Sequence, residues 1–265
     1  MAEKRRREIR GRIELSGYVE ARQLAAELGV DVSTIRRDLD VLSRAGVVQR
    51  THGGALPMAG AEALDVPYEA KKLDRLAEKR AIARHAATLV GDGESLVLDS
   101  GSTTYALAEE LRSRRDLTIV TNDLRIAHFI AASGGVRLLV TGGQLIDSVF
   151  TLVGPQALGS LTALHVDWAF LAADAVDSAT GVMNVNTVEV EIKQAMLATA
   201  RRAALLADSS KFDRRAVATV VGIDRFDAIV TDAGLPARER KAFGDRLVCV
   251  PVAGRRATSS ASSES

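Results

Sequence analysis

Two clusters in this 265-residue sequence combine residue types and spacings that could do chemistry. The first is Asp99-Ser100-Gly101-Ser102-Thr103-Thr104, which follows the apolar run Ser95–Leu98 and opens a helical stretch. A glycine- and hydroxyl-rich turn from strand to helix exposes backbone N–H groups at the positive end of the helix, which suits an anion and above all a phosphate. The turn has neither the spacing of a Walker A loop nor that of Gly-x-Gly-x-x-Gly, so ATP and NAD are not expected. A tight turn with a Ser or Thr cap is the plain alternative. The second cluster is Ser33, Thr34, Arg36 and Arg37, on the polar face of a stretch whose other face carries Val32, Ile35, Leu39 and Leu42. Arginine makes bidentate contacts to guanine edges, and hydroxyls reach phosphates or bases. One such arginine alone would be an ordinary solvated helix face; the cluster is more specific.

Both clusters have satellites. Lys4, Arg5 and Arg6 crowd the N-terminus, and Arg50 and His52 flank Thr51, so all five could touch a nucleic-acid backbone or minor groove. Thr121-Asn122 and Gly142-Gly143 each follow an apolar β-rich run, as does Asp174. Ligands bind at the carboxyl ends of strands in open α/β sheets, so these groups and the 99–104 turn are expected to share one pocket. Lys211, after the run Ala203–Leu206, could reach an anion there or simply be solvated. Glu189 and Lys193 stand four apart on a helical stretch, the spacing of a surface pair.

The elements that must position these groups divide the chain in two. Near the N-terminus, Ile9 and Ile13 imply a helix over 5–15, and Leu24, Ala25 and Leu28 a second over 21–28, with Gly29 as its stop. Asp31 caps a third, ended by Gly46, and residues 47–56 read as a hairpin turning at Gly53-Gly54. Two short helices joined by a glycine turn can set the second in a DNA major groove. From Lys71 to about Val90 a longer helix is expected, and beyond it strand-like runs alternate with helical ones. The strands are predicted at Ser95–Leu98, Leu117–Val120, Val136–Val140, Trp168–Ala172, Ala203–Leu206, Ala228–Val230 and Leu247–Val252. The expected architecture is therefore α/β: a winged helix-turn-helix over 1–57, a linker over 58–70, a mostly parallel-sheet domain over 71–254 and a disordered tail over 255–265.

Composition narrows the function. A net charge of +1 gives no global attraction for nucleic acid, so DNA binding must come from a local patch. The single cysteine, Cys249, cannot form an internal disulfide. No apolar stretch approaches the roughly 20 residues of a membrane span, and the basic N-terminus is not followed by a signal core. A cytoplasmic protein without membrane contact is expected. His52, His85, His128 and His165 lack ligand spacing, so no metal is expected.

The sequence resembles the DeoR family of bacterial regulators. The resemblance rests on Gln23–Val30, Ser33–Leu39 and Arg50-Thr51-His52-Gly53-Gly54-Ala55, and it continues through Asp99–Thr104, Val120–Asn122, Gly142-Gly143, Val153-Gly154-Pro155, Ala207–Phe212 and Ile229–Asp232. It implies a winged helix-turn-helix that reads a double-stranded operator, and an effector domain similar in fold to ribose-5-phosphate isomerase that senses a phosphorylated sugar or related metabolite. By the same resemblance Ser100, Gly101, Ser102, Thr103 and Thr104 form the phosphate loop, and Asp174 and Lys211 line the sugar side. Where the family often has Gly-Ala-Asp-Gly, this chain has Ala172-Ala173-Asp174-Ala175, whose methyl groups would narrow the pocket. The alternative function is a sugar-phosphate isomerase with a DNA-binding appendage. That enzyme family carries a Lys-Gly-Gly-Gly segment, whereas Thr180–Asn186 contains no lysine, so a non-enzymatic repressor acting as a homo-oligomer is expected.

Overall fold

The computed structural model describes residues 2–16, 18–44, 48–51, 53–57, 74–146 and 149–252, without the side chains of residues 2–4, 7, 14–16 and 57. His52, the side chain of Lys4, the predicted linker over 58–70 and the predicted tail over 255–265 lie outside the described residues.

Three helices, α1 (Ala2–Ser16), α2 (Ala21–Leu28) and α3 (Val32–Arg44), pack around one small core. Ile9 and Ile13 of α1 are fully buried there with Leu24 and Ala25 of α2 and Ile35 and Leu39 of α3. The i, i+4 spacing of Ile9 with Ile13 and of Ile35 with Leu39 puts each of those two pairs on one helix face. Gly29 ends α2 in the left-handed conformation at φ 62°, and the Asp31 carboxylate accepts the Ser33 N–H at 2.7 Å at the start of α3. Strands β1 (Val19–Glu20), β2 (Val48–Arg50) and β3 (Gly54–Pro57) form an antiparallel sheet with β3 in the middle. Gly54 does not stand in the turn but is already paired, with Glu20. It must be glycine because a Cβ there would lie 1.8 Å from the Val19 carbonyl oxygen.

The buried carboxylate of Asp38 ties α3 to α1, accepting Nε of Arg5 at 2.5 Å and Nε of Arg6 at 2.9 Å. Burial pushes this carboxyl up, but the two guanidiniums outweigh it and hold the group below its ordinary value.

The second body is a seven-stranded parallel sheet in the order β15-β14-β12-β9-β4-β5-β6. Its strands are β4 (Ser95–Leu98), β5 (Thr118–Thr121), β6 (Arg137–Val140), β9 (Val166–Ala172), β12 (Ala200–Leu206), β14 (Ala228–Asp232) and β15 (Leu247–Val250). Each overlaps one of the seven runs expected from sequence. Alternate residues serve opposite faces. Leu96, Leu98, Trp168 and Phe170 meet helices α4 (Leu76–Thr88), α5 (Ser102–Leu111) and α6 (Leu124–Ser133). Val97, Ala169 and Leu171 share the other core with α7 (Pro155–Thr162) and α8 (Val190–Thr199).

Two small antiparallel sheets were not expected: β7 (Gln144–Ile146) with β8 (Thr151–Val153), and β10 (Ala175–Asp177), β11 (Gly181–Asn184) and β13 (Ala218–Val221). At three or four residues each, they are too short for a periodic pattern. Helix α7 was also missed, although Gly154 at φ 90° followed by Pro155 at the first helical turn is a start signal. No helix among the described residues is long and apolar enough to cross a membrane.

The Asp38 clamp sets an acid-side expectation. A carboxyl whose pKa is lowered on folding adds stability above its unfolded value near 4, and that stability is lost as pH falls through the lowered value. Asp38→Asn should therefore cost about 2 kcal/mol near pH 7 and flatten the acid limb of N-terminal unfolding. Urea titrations at pH 7 and pH 3 check this, and equal losses at both would contradict it.

Candidate functional site

The sheet order places the site. From β4 the chain moves outward through β5 and β6, then returns to the other side of β4 with β9, so the crevice between β4 and β9 opens at their carboxyl ends. Asp99 follows β4 and Ala172 ends β9. The Asp99 N–H donates to the Phe170 carbonyl at 3.0 Å, and the Ala172 N–H donates to Asp99 Oδ2 at 3.0 Å. Lys193 of α8 donates to the same carboxylate oxygen and to the Ala172 carbonyl, the latter at 3.1 Å. Both charged groups are essentially buried. Burial opposes the Lys193 ammonium, but the charges of Asp99 and Glu189 outweigh it and hold its pKa above the ordinary value. The i, i+4 spacing of Glu189 and Lys193 thus marks an interior charge cluster, not a surface pair.

The loop above this pair is built as a cradle. Gly101, at φ 151°, leaves no room for a side chain, since a Cβ would approach the Ala172 Cβ to 2.9 Å. Its carbonyl accepts from the Tyr105 N–H and the Thr104 hydroxyl, both at 2.9 Å, which starts α5 without a side-chain N-cap. Ser100 is buried, and its hydroxyl donates to Glu189 Oε1 at 3.3 Å. Asp123 caps α6 and is gripped by Arg125 through Nη2 at 2.8 Å; its Oδ2 also lies 3.4 Å from the Gly101 nitrogen.

A cavity of about 620 Å³ opens over this cradle, within the usual range for a small-molecule site. Ser100, Gly101, Ser102 and Thr103 line it, as do Asp174 and Lys211, whereas Asp99 and Thr104 lie beneath as support. Among the described residues nine arginines and lysines line it against four carboxylates, so its potential favours an anion. Arg75, Lys79, Arg125, Arg214 and Arg215 among them carried no sequence signal, because they come from three separated segments that only folding gathers.

Four expected pocket residues are placed elsewhere. Thr121 and Asn122 are buried as fasteners: the Thr121 hydroxyl donates to the Leu98 carbonyl at 2.8 Å, and the Asn122 side chain donates to the Leu152 carbonyl at 3.3 Å. Gly142 and Gly143 turn the chain from β6 into β7, at φ 68° and 114°, and a Cβ on Gly143 would lie 2.4 Å from the Val153 carbonyl oxygen. None of the four lines the cavity. The composite pocket expected from three successive strand ends is instead made at the β4/β9 switch point, with walls from β10, β11 and α8.

On the N-terminal body, Ser33, Arg36 and Arg37 are exposed on α3 and Thr34 is half-buried. Arg36 also lines the cavity, together with Tyr18, Glu20, Thr51 and Gly53. Arg5 and Arg6 are held by Asp38 through Nε, and Arg50 holds the wing, bonding Asp40 at 2.9 Å and the Gly54 carbonyl at 2.6 Å. These three arginines therefore have structural partners inside the N-terminal body.

The chain matches two family models: the DeoR-like helix-turn-helix domain over residues 5–58 and the DeoR C terminal sensor domain over residues 74–233. It is 36% identical to a protein named for repression of the aga operon in Escherichia coli O157:H7, over 88% of this chain and 87% of that one. It is 31% identical to the glycerol-3-phosphate regulon repressor of Escherichia coli (strain K12), over 89% of this chain and 93% of that one. Among solved structures, ribose 5-phosphate isomerase A from Methanocaldococcus jannaschii is 20% identical over 51% of this chain and 53% of that one, with a TM-score of 0.38.

The buried pair gives a stability test. Lys193→Met removes the cation and leaves the Asp99 carboxyl buried without it, which should cost about 3–5 kcal/mol. Denaturant unfolding of the sensor body measures the loss, and an unchanged midpoint would show that the pair does not hold the switch point together.

Proposed function

The chain belongs to the DeoR family of transcription regulators, and from that premise we propose that it is a repressor whose operator affinity changes when a phosphorylated sugar occupies the cavity over Gly101. The observation that carries this reading is the pairing of a cation-rich cavity with the Ser100–Thr103 cradle at the switch point of the sheet. A phosphate there gains charge-assisted hydrogen bonds that a neutral sugar cannot make. The name of the glycerol-3-phosphate regulon repressor is in keeping with a phosphorylated polyol or sugar. A regulator without enzymatic turnover is favoured over an isomerase, because Glu189 already accepts from both Ser100 and Asn184 and the 180–186 segment offers no lysine.

The DNA contacts proposed are Arg37, Arg36, Ser33 and Thr34 of α3. One short helix reads few base pairs, so two or more copies of the chain are proposed to bind repeated half-sites in the cytoplasm. A ligand changes DNA affinity only if it favours one arrangement over another. Arg36 and the wing share the cavity with the cradle, so its occupant has a direct route to the DNA-reading surface.

Two variants test the reading by fluorescence anisotropy on DNA from the regulator's own upstream region. Arg37→Ala should lose about 1–3 kcal/mol of specific binding and relax sequence preference; unchanged affinity and preference would remove Arg37 from the interface. Gly101→Val should bind operator normally yet fail to respond to the phosphorylated sugar that releases the parent protein, a coupling expected at about 5–150-fold. Release at the same sugar-phosphate concentration as the parent would place the phosphate elsewhere.

A further inference from the structure

Asn184, the last residue of β11, is 3% exposed and lines the cavity. Its Nδ2 donates to Glu189 Oε2 at 2.7 Å, while the other oxygen of Glu189 accepts from the Ser100 hydroxyl. This arrangement fixes the amide. Reversing it would set the Asn184 oxygen against a carboxylate oxygen, two acceptors facing each other with no proton between them. The Asn184 Oδ1 must therefore point away from Glu189, and there it meets no donor among the described residues. Buried amide oxygens without a donor are uncommon, since they lose their water and gain nothing in return. Here the orphan acceptor belongs to a residue that lines a ligand-sized cavity, one carboxylate away from the cradle that begins at Ser100.

We propose that Asn184 Oδ1 accepts a hydrogen bond from a ligand hydroxyl, making Asn184 the residue that selects a hydroxylated chain on the anion, with Glu189 as the positioning residue that aims it. This deepens the reading of the cavity as a sugar-phosphate site and rests on it. The missing donor is a neutral hydroxyl and not an ammonium, because cations already outnumber carboxylates around the cavity and would repel a second positive charge. Glu189 bonds Ser100 through one oxygen and Asn184 through the other, so a phosphate on the 100–103 turn and a hydroxyl on Asn184 would belong to one small phosphate monoester. Asp174, whose Oδ2 accepts the Val185 N–H at 3.1 Å, adds a carboxylate to the same wall.

The test is calorimetric titration of the full chain with matched probes that differ only in hydroxyl content: glycerol 3-phosphate against propyl phosphate, and ribose 5-phosphate against 2-deoxyribose 5-phosphate. Inorganic phosphate reports the cradle alone. The parent protein should bind the hydroxylated member of at least one pair about tenfold or more tighter than its partner. Asn184→Leu should bring that ratio close to one while weakening inorganic phosphate far less than it weakens the hydroxylated ester; Asn184→Ala serves if the leucine variant does not fold. A ratio of one in the parent, or a preference that survives both substitutions, overturns the role of Asn184. If neither inorganic phosphate nor any monoester binds, the phosphate reading fails; unphosphorylated ribitol then decides the hydroxyl role separately, which stands only if ribitol binds the parent and not Asn184→Leu.

Discussion

The sensor body depends on one buried ion pair. Asp99 follows β4 and Lys193 projects from α8; their contact, with the N–H and the carbonyl of Ala172, pins β4, β9 and α8 at one point. Burying two charges is costly, and their attraction offsets that cost only with close geometry and further hydrogen bonds. Apolar packing of the same volume would serve stability as well. The pair instead leaves polar groups at the floor of a cavity, where Ser100, Glu189 and Asn184 continue the network toward the ligand space.

The crowding of the cradle follows from the same point. Because Ala172 is drawn against Asp99, its methyl group leaves position 101 without space for a Cβ, and glycine is required there for contact as well as for φ. The alanine in the sequence motif and the glycine in the loop are thus one constraint seen from two strands. Above them the cavity joins two chemistries: a cationic rim suited to an anion, and an acceptor-bearing wall suited to hydroxyl groups. In the N-terminal body Asp38 plays a comparable part, drawing Arg5 and Arg6 onto α3 so that α1 braces it. In both bodies a buried carboxylate organises the cations around it.

The sequence alone determined what depends on local periodicity. Ile9 and Ile13, or Val32, Ile35 and Leu39, recur at helical spacing because each helix buries one face, and the seven apolar runs are legible because a parallel sheet covered on both sides needs strands apolar on both sides. The 99–104 turn could be read because glycine and hydroxyls between strand and helix have a local reason to be there. Tertiary structure alone decided what depends on which strand ends meet. Thr121, Asn122, Gly142 and Gly143 look like site residues because they end strands, yet sheet order puts the crevice on the other side of β4, leaving them as fasteners and turns. Lys193 and Glu189 look like a surface pair because helical spacing says nothing about which face is buried. Arg5, Arg6 and Arg50 look free for DNA because a sequence shows the charge of an arginine but not the carboxylate that folding brings within 3 Å of it. Asn184 gave no signal at all, since an unsatisfied acceptor exists only once the chain has folded and every donor near it has been assigned a partner.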